Sequence, residues 1–263
     1  MSSQAAGSGD PRITLKSAPR TGIMAEPYFD LATPNHFWCR RRFEVLQKIA
    51  GERLRAARSI AEIGCGNGVL LRQIEDAYPD PATAGFDLHE IGLRKSMTNR
   101  ARLYCYDIHD RAPEFHRAFD LVLMFDVLEH IENESTFLAS ARFHVADGGV
   151  IVLNVPALQW LYSPYDAVQG HQRRYSLGDV RRVAEKNGLR LKSASYWGGP
   201  LVPIAALRKL LLSLRSQRPD TYETGFDPGS PLVNRLLYAS SRCELVPQRL
   251  AGTSVMAILE PRT

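Results

Sequence analysis

The sequence predicts an α/β fold built on a doubly wound, mostly parallel sheet. Three observations predict it. Strand-like apolar runs alternate with helical patterns from residue 59 to residue 155, the order that crossover-connected parallel strands require. The run 121–125 (Leu-Val-Leu-Met-Phe) contains no polar residue, as expected of a strand covered on both faces. The first strand, finally, runs into glycines at alternating positions, Gly64, Gly66 and Gly68, and a helical pattern follows them. Such a turn brings backbone close to a ligand, because glycine has no Cβ and tolerates positive φ.

Taken in order, residues 1–25 are rich in Ser, Ala and Gly, carry Pro11 and Pro19, and read as a flexible tail without the apolar run of a secretory signal. Residues 26–263 read as one domain. Within it, 26–58 hold a cap helix, with Phe43, Leu46 and Ile49 at helical spacing over 35–50. The core is 59–156. Its first strand is 59–63, and the helix behind Gly68 buries Leu70, Leu71, Ile74 and Ala77 until Pro79 and Pro81 end it. A second strand runs over 84–87, a short helix over 90–97, a third strand over 102–106 and the fourth over 121–125. A helix over 134–145 and the turn Asp147-Gly148-Gly149 lead to the fifth strand, 150–155. In the second half, 157–263, Ser176 caps a helix that runs to Asn187 and stops at Gly188. Strands follow near 191–196 and 254–259. Between them the segment 198–252 is too long for a loop and reads as an inserted helical lid, with helices near 201–215 and 232–238.

The glycine spacing argues against a dinucleotide. That fingerprint needs a third glycine three positions after the second, and Val69 stands there. Glu62, two residues before Gly64, would repel a pyrophosphate and attract a cation. S-adenosyl-L-methionine fits this pattern, having a sulfonium, an ammonium and no phosphate.

On these residues the chain resembles the class I S-adenosylmethionine-dependent methyltransferases. The acid and glycine turn is Glu62-Ile63-Gly64-Cys65-Gly66-Asn67-Gly68. Asp87 ends the second strand and Asp107 follows the third. Phe125 ends the fourth, Asp126, Glu129 and His130 follow it, and Gly148-Gly149 leads into the fifth. The resemblance covers residues 60–155 well. It implies a Rossmann-like, mostly parallel, seven-stranded sheet with its last strand antiparallel. It also implies a cofactor site made of Glu62, Gly64, Cys65, Gly66, Asn67, Gly68, Asp87, Leu88, Asp107, Ile108, Phe125 and Asp126. Asp87 would take the ribose diol, Asp107 the adenine amino group with Ile108 packed on the ring, and Glu62 the ammonium end.

The acceptor side is expected from residues beyond the fifth strand, where Trp160, Tyr165, His171, Arg173, Arg174 and Tyr175 cluster. His130 and His171 are candidate general bases for an acceptor hydroxyl. Trp160, Tyr165, Arg173, Arg174 and Tyr175 are candidate acceptor contacts, the arginines suiting an anionic group. The alternative for this cluster is a buried polar network that braces the lid. The apolar stripe over 201–215 is expected to pack on its own domain, with peripheral contact to a membrane surface as the other reading.

Composition narrows the classes further. Lys and Arg exceed Asp and Glu by five (33 against 28), a diffuse excess with no aromatic-interleaved basic block, so no nucleic-acid partner is expected. The cysteines, Cys39, Cys65, Cys105 and Cys243, show no metal-ligand spacing and read as reduced thiols, so neither a disulfide nor a metal is expected. No apolar run is long enough to cross a membrane. The expectation is a cytoplasmic enzyme that methylates a small organic acceptor, on oxygen in preference to nitrogen or carbon. A lipid-linked acceptor such as a quinone or glycolipid is the alternative enzyme reading. A non-catalytic adenosyl-ligand binding protein is the alternative outside enzymes.

Overall fold

The computed structural model describes residues 12–20, 26–214 and 227–262. Its strands are β1 (Ile13–Leu15), β2 (Ser59–Ile63), β3 (Ala82–Asp87), β4 (Arg102–Cys105), β5 (Phe119–Phe125), β6 (Val145–Pro156), β7 (Leu189–Trp197) and β8 (Ser254–Pro261). They form one sheet in the order β1-β4-β3-β2-β5-β6-β8-β7. All pairings are parallel except those of β8, which runs antiparallel to both β6 and β7. The chain winds outward from β2 on one side and from β5 on the other. The strand order therefore reverses between β2 and β5, and a crevice opens beyond their carboxyl ends.

The seven expected strands are present, the last of them antiparallel. The additional β1 corrects the expected tail at residues 13–15. Ile13 pairs with Leu103 and Leu15 with Cys105, and the Cys105 carbonyl accepts the N–H groups of Lys16 and Ser17. Ile13 also packs on the apolar cluster of Leu71, Leu93, Leu103 and Cys105. Three residues carry too little periodicity to read as a strand; the pairing comes from the open edge of β4. The other parts of the expected tail, 1–11 and 21–25, lie outside the described residues.

Alternation along the strands divides the core. Leu121, Leu123 and Phe125 of β5 face helices α2 (Phe37–Ala56) and α3 (Val69–Ala77), while Val122 and Met124 face a cluster with Phe86, Phe115 and Phe137. Burying each such side chain contributes about 1.5–3 kcal/mol. Leu70, Leu71 and Ile74 of α3 are buried as expected. Ala77, expected on the buried face, is exposed at the C-terminal end of α3. After α4 (Glu90–Arg94), shorter than expected, the chain turns so that the Met97 N–H reaches the Asn67 carbonyl. Helix α5 (Glu134–Phe143) ends two residues early, and the expected turn at 147–149 lies inside β6. There Val145 pairs with Phe119 but Val150 with Leu121, a bulge in which Gly148 takes φ +76°. Helix α7 (Leu177–Lys186) begins with a capping box from Ser176 and Asp179, as its sequence indicates.

Two helices of the insertion are described, α8 (Val202–Leu214) and α9 (Pro231–Ser241). Residues 215–226 lie outside the described residues. The expectation that the α8 stripe packs on its own domain is corrected. Ile204, Leu207, Leu210 and Leu211 are exposed, as are Leu232, Val233 and Leu236 of α9. The insertion is held instead by polar pins and stacked rings. Asn234 accepts the Phe37 N–H, Arg40 lies 4.0 Å over the Tyr238 ring, and Glu244 accepts the N–H groups of Gly198 and Gly199.

Candidate active site

The crevice holds a cavity of about 220 Å³, lined by Glu62, Gly64, Cys65, Gly66, Asn67, Asp87, Leu88, Asp107, Ile108, Phe125 and Asp126. Eleven of the twelve sequence-named cofactor residues thus meet there; Gly68 does not. The glycine turn folds as its sequence requires. Gly64 has φ +74°, and a Cβ on it would come 2.4 Å from Val127 Cγ2. Gly68 also has positive φ, but it packs away from the cavity against Ser96 and Thr98 as the residue before α3. Asn67 is a partial correction. Its side chain points into neither diol nor base but donates to the carbonyls of Phe29 and Ala32, tying α1 (Pro27–Leu31) over the turn. Cys65 is buried against Gly85, and burial pushes its thiol well up, so no thiolate is poised there.

The acids are arranged to meet different chemistry. Asp87 accepts the N–H groups of Gly66 and His89, both at 2.7 Å, which fixes the carboxylate while leaving lone pairs for a diol. Asp107 accepts from Arg20 and from the His109 N–H, each at 3.0 Å. Glu62 is 3% exposed, and its Oε2 has no hydrogen-bond partner. Burial pushes its carboxyl up to about 8, with Asp87 and Asp126 adding and Arg42 opposing. An orphaned buried carboxylate beside a cradle without Cβ atoms fits a ligand that presents an ammonium group. Asp126 sits at the end of β5 with φ +57°, accepting from Arg42 at 2.5 Å and from Asn154 at 2.6 Å. Asn154 in turn accepts from Trp197 Nε1 at 2.8 Å. Sequence reading missed Arg42. Its signal was the helical spacing that puts it on one face with Cys39, Val45 and Leu46.

A second cavity, about 320 Å³, adjoins the first on the side of the insertion. Tyr28, Asp126 and His130 line both. Tyr165, His171 and Arg174 also line the second. Around them stand Phe37, Trp38, Glu129 and, from α8, Ile204 and Arg208. Arg208 stacks 4.4 Å over the Tyr165 ring. His130 lies edge-on to His171 at 4.8 Å, and burial lowers its imidazole to about 4, so that it is neutral near pH 7. His171 Nδ1 is 3.1 Å from Asp166 Oδ1, and Arg174 Nε is 2.8 Å from the same oxygen. Asp166 lies in α6 (Pro164–Val168), fully buried and held at about 2 despite its burial by His171, Arg174 and Ser163.

Three expected acceptor contacts are corrected. Trp160 is 55% exposed and lines neither cavity; its carbonyl accepts from Lys209. Arg173 turns to Glu134 at 3.1 Å. Tyr175 is buried and donates to Glu134 and to the Leu128 carbonyl. The period-2 register of an extended segment explains the split: Arg174 faces inward, while Arg173 and Tyr175 face α5. These two brace the stretch after β5, not the lid that the alternative reading had them support.

The fold and the site together define the class. Residues 35–194 match the model of a methyltransferase domain, more than half of the chain. A Mycolicibacterium smegmatis protein named "Probable S-adenosylmethionine-dependent methyltransferase" is 32% identical over 153 residues, 56% of each chain. The ubiquinone biosynthesis O-methyltransferase of Chromobacterium violaceum is 24% identical over 172 residues, 58% of this chain and 73% of its own. A solved S-adenosylmethionine-dependent methyltransferase from Archaeoglobus fulgidus shares the fold, with a TM-score of 0.51 and 16% identity over 83% of this chain and 93% of that one. The chain spans just over half the length of the mycobacterial relative. It belongs to the methyltransferase-domain family, whose class I members its motifs resemble. The cofactor of that class is S-adenosyl-L-methionine, and the residues at the crevice fit it.

Proposed function

We propose that this protein transfers a methyl group from S-adenosyl-L-methionine to an oxygen of a small organic acceptor held in the second cavity. The observation that carries this reading is that His130 lines both cavities, at the seam where a methyl donor and an acceptor would meet. The cofactor supplies an electrophilic methyl carbon on a sulfonium. Glu62 would take its ammonium end, Asp87 its ribose diol and Asp107 the adenine edge. Phe125 and Asp126 close the seam, and Trp38, Phe37 and Tyr165 offer flat apolar walls to a ring-bearing acceptor. An imidazole nitrogen of His130 would receive the hydroxyl proton as the oxygen attacks. Arg174 and Arg208 favour an acceptor that carries a negative group. Holding acceptor and methyl in line supplies much of the rate. The likeness to an O-methyltransferase of ubiquinone biosynthesis supports oxygen as the target.

One observation favours a second reading, a lipid-linked acceptor. The exposed leucines of α8 and α9 belong to the helices that wall the second cavity, so an apolar chain could leave it without entering water. Incubation with methyl-labelled cofactor and paired panels of short phenols and prenylated phenols separates the two. Methylation of the short phenols on oxygen supports the first reading. Turnover only on prenylated members in the presence of vesicles supports the second, and a methyl found on nitrogen or carbon overturns oxygen transfer.

A further inference from the structure

We infer that Glu129, His130 and His171 form a binding site for one divalent transition-metal ion, facing the second cavity. A carboxylate oxygen and one ring nitrogen from each histidine lie within 4.8 Å of one another. Ligands around one ion bound at about 2.0–2.2 Å stand roughly 3–4 Å apart, so small side-chain rotations close the set. Glu129 is the residue that calls for a cation. It is 1% exposed, it borders the cavity, and neither of its carboxylate oxygens has a hydrogen-bond partner. A buried carboxylate without a partner is costly, and among the described residues no cationic side chain bonds to it.

The surroundings are those of a ligand set. His171 uses Nδ1 toward Asp166, which leaves Nε2 to point elsewhere. Asp166 is itself fixed by the Ser163 hydroxyl at 2.8 Å and by Arg174. A buried carboxylate that orients a histidine in this way is the usual outer support of a metal-bound imidazole. The two ligand-bearing loops are also tied to each other, since the Gln172 N–H donates to the Glu129 carbonyl at 2.7 Å. Two imidazoles and one carboxylate suit zinc, manganese, cobalt or iron(II) better than magnesium or calcium, which prefer all-oxygen sets. Three protein ligands leave positions open toward the cavity. There the ion would hold the acceptor oxygen and ease loss of its proton to water, taking over the base's part from His130, whose nitrogen it occupies; this part rests on the methyltransferase reading above. Binding of the ion does not rest on it.

The test uses the full chain after dialysis against a chelator. Zinc is titrated in competition with a chromophoric chelator, and cobalt by its visible absorption. S-adenosylhomocysteine binding is followed by calorimetry on the same samples. One equivalent of each metal is expected. Glu129→Gln and His171→Gln should each weaken it at least tenfold, and Asp166→Asn by about 10–100-fold. S-adenosylhomocysteine affinity should stay within about twofold in all three, which also reports that they fold. Should one of them fail to fold, the other two carry the comparison. Absence of stoichiometric zinc and cobalt binding overturns the inference. So does equal affinity in a Glu129→Gln/His171→Gln double variant. Loss of S-adenosylhomocysteine binding with metal binding intact would instead strike the methyltransferase reading and leave the ion site standing.

Discussion

The two cavities of this protein are made in different ways. The cofactor cavity is cut from backbone: a turn of glycines, strand ends and carboxylates pinned by N–H groups, as Asp87 is by Gly66 and His89. The second cavity, proposed above for the acceptor, is walled by side chains on connecting loops and inserted helices, and it includes Trp38, Tyr165 and Arg208 from three distant stretches. Backbone cradles are set by local sequence and tolerate little change. Side-chain walls can be exchanged, which is how one fold serves many acceptors. Between them stands the Asp126–Arg42 pair.

That contrast can be broken at several points. The largest effect is expected at the seam. Arg42→Met leaves Asp126 without its buried cation and should cost about 3–5 kcal/mol in chemical denaturation. A smaller loss would mean the seam is wetter than it looks. His130→Ala should lower kcat by about a hundredfold to a thousandfold with S-adenosylhomocysteine affinity nearly unchanged. Equal damage to both would place His130 in the cofactor cradle and blur the division. Asp87→Ala should do the opposite, weakening S-adenosylhomocysteine by about 10–100-fold, since two or more hydrogen bonds to a charged group are lost.

The Glu62 carboxyl gives the cofactor cavity a pH signature. Its value is raised from 4.5 to about 8, so the free protein benefits fully below pH 4.5 and loses that contribution as pH rises through 8. Thermal unfolding of the free protein should show this decline and Glu62→Gln should remove it. S-adenosylhomocysteine affinity should rise over the same range, by at most about tenfold per pH unit. The smallest effect belongs to the insertion. Leu207→Ser and Leu236→Ser should change stability by about 0.5 kcal/mol or less, since both side chains are exposed. Reduced co-sedimentation with anionic vesicles in these variants would support the lipid-linked reading, and unchanged sedimentation would count against it.

The same division explains what could be read in advance. The turn from Glu62 to Gly68 and the strand-end acids are local patterns with a fixed backbone purpose, and they led directly to the cofactor cavity. Phe125 and Asp126 followed from their place at the end of the apolar run 121–125 and just beyond it. The acceptor side was legible only as a neighbourhood. Tyr165, His171 and Arg174 do reach it, but Trp160, Arg173 and Tyr175 sit in the same stretch and face elsewhere. Which way a loop residue turns depends on partners such as Glu134 and Lys209, which no spacing rule connects. Arg42 and Arg208 were hidden for the same reason. The stripe of α8 shows the limit of periodicity: an apolar face can be seen in sequence, but what covers it cannot.

The short strand β1 carries a consequence for handling the protein. It shields the rim of β4, and the strap behind it delivers Arg20 to Asp107 while the Arg20 N–H bonds the Leu88 carbonyl. A version trimmed to begin at residue 26 would bare a row of backbone donors and acceptors to neighbouring molecules and invite stacking between copies. It would also release Asp107 from Arg20 and, on the reading proposed above, loosen the hold on the cofactor's base, so clumping and weakened nucleoside capture would arrive together from the loss of one small ribbon.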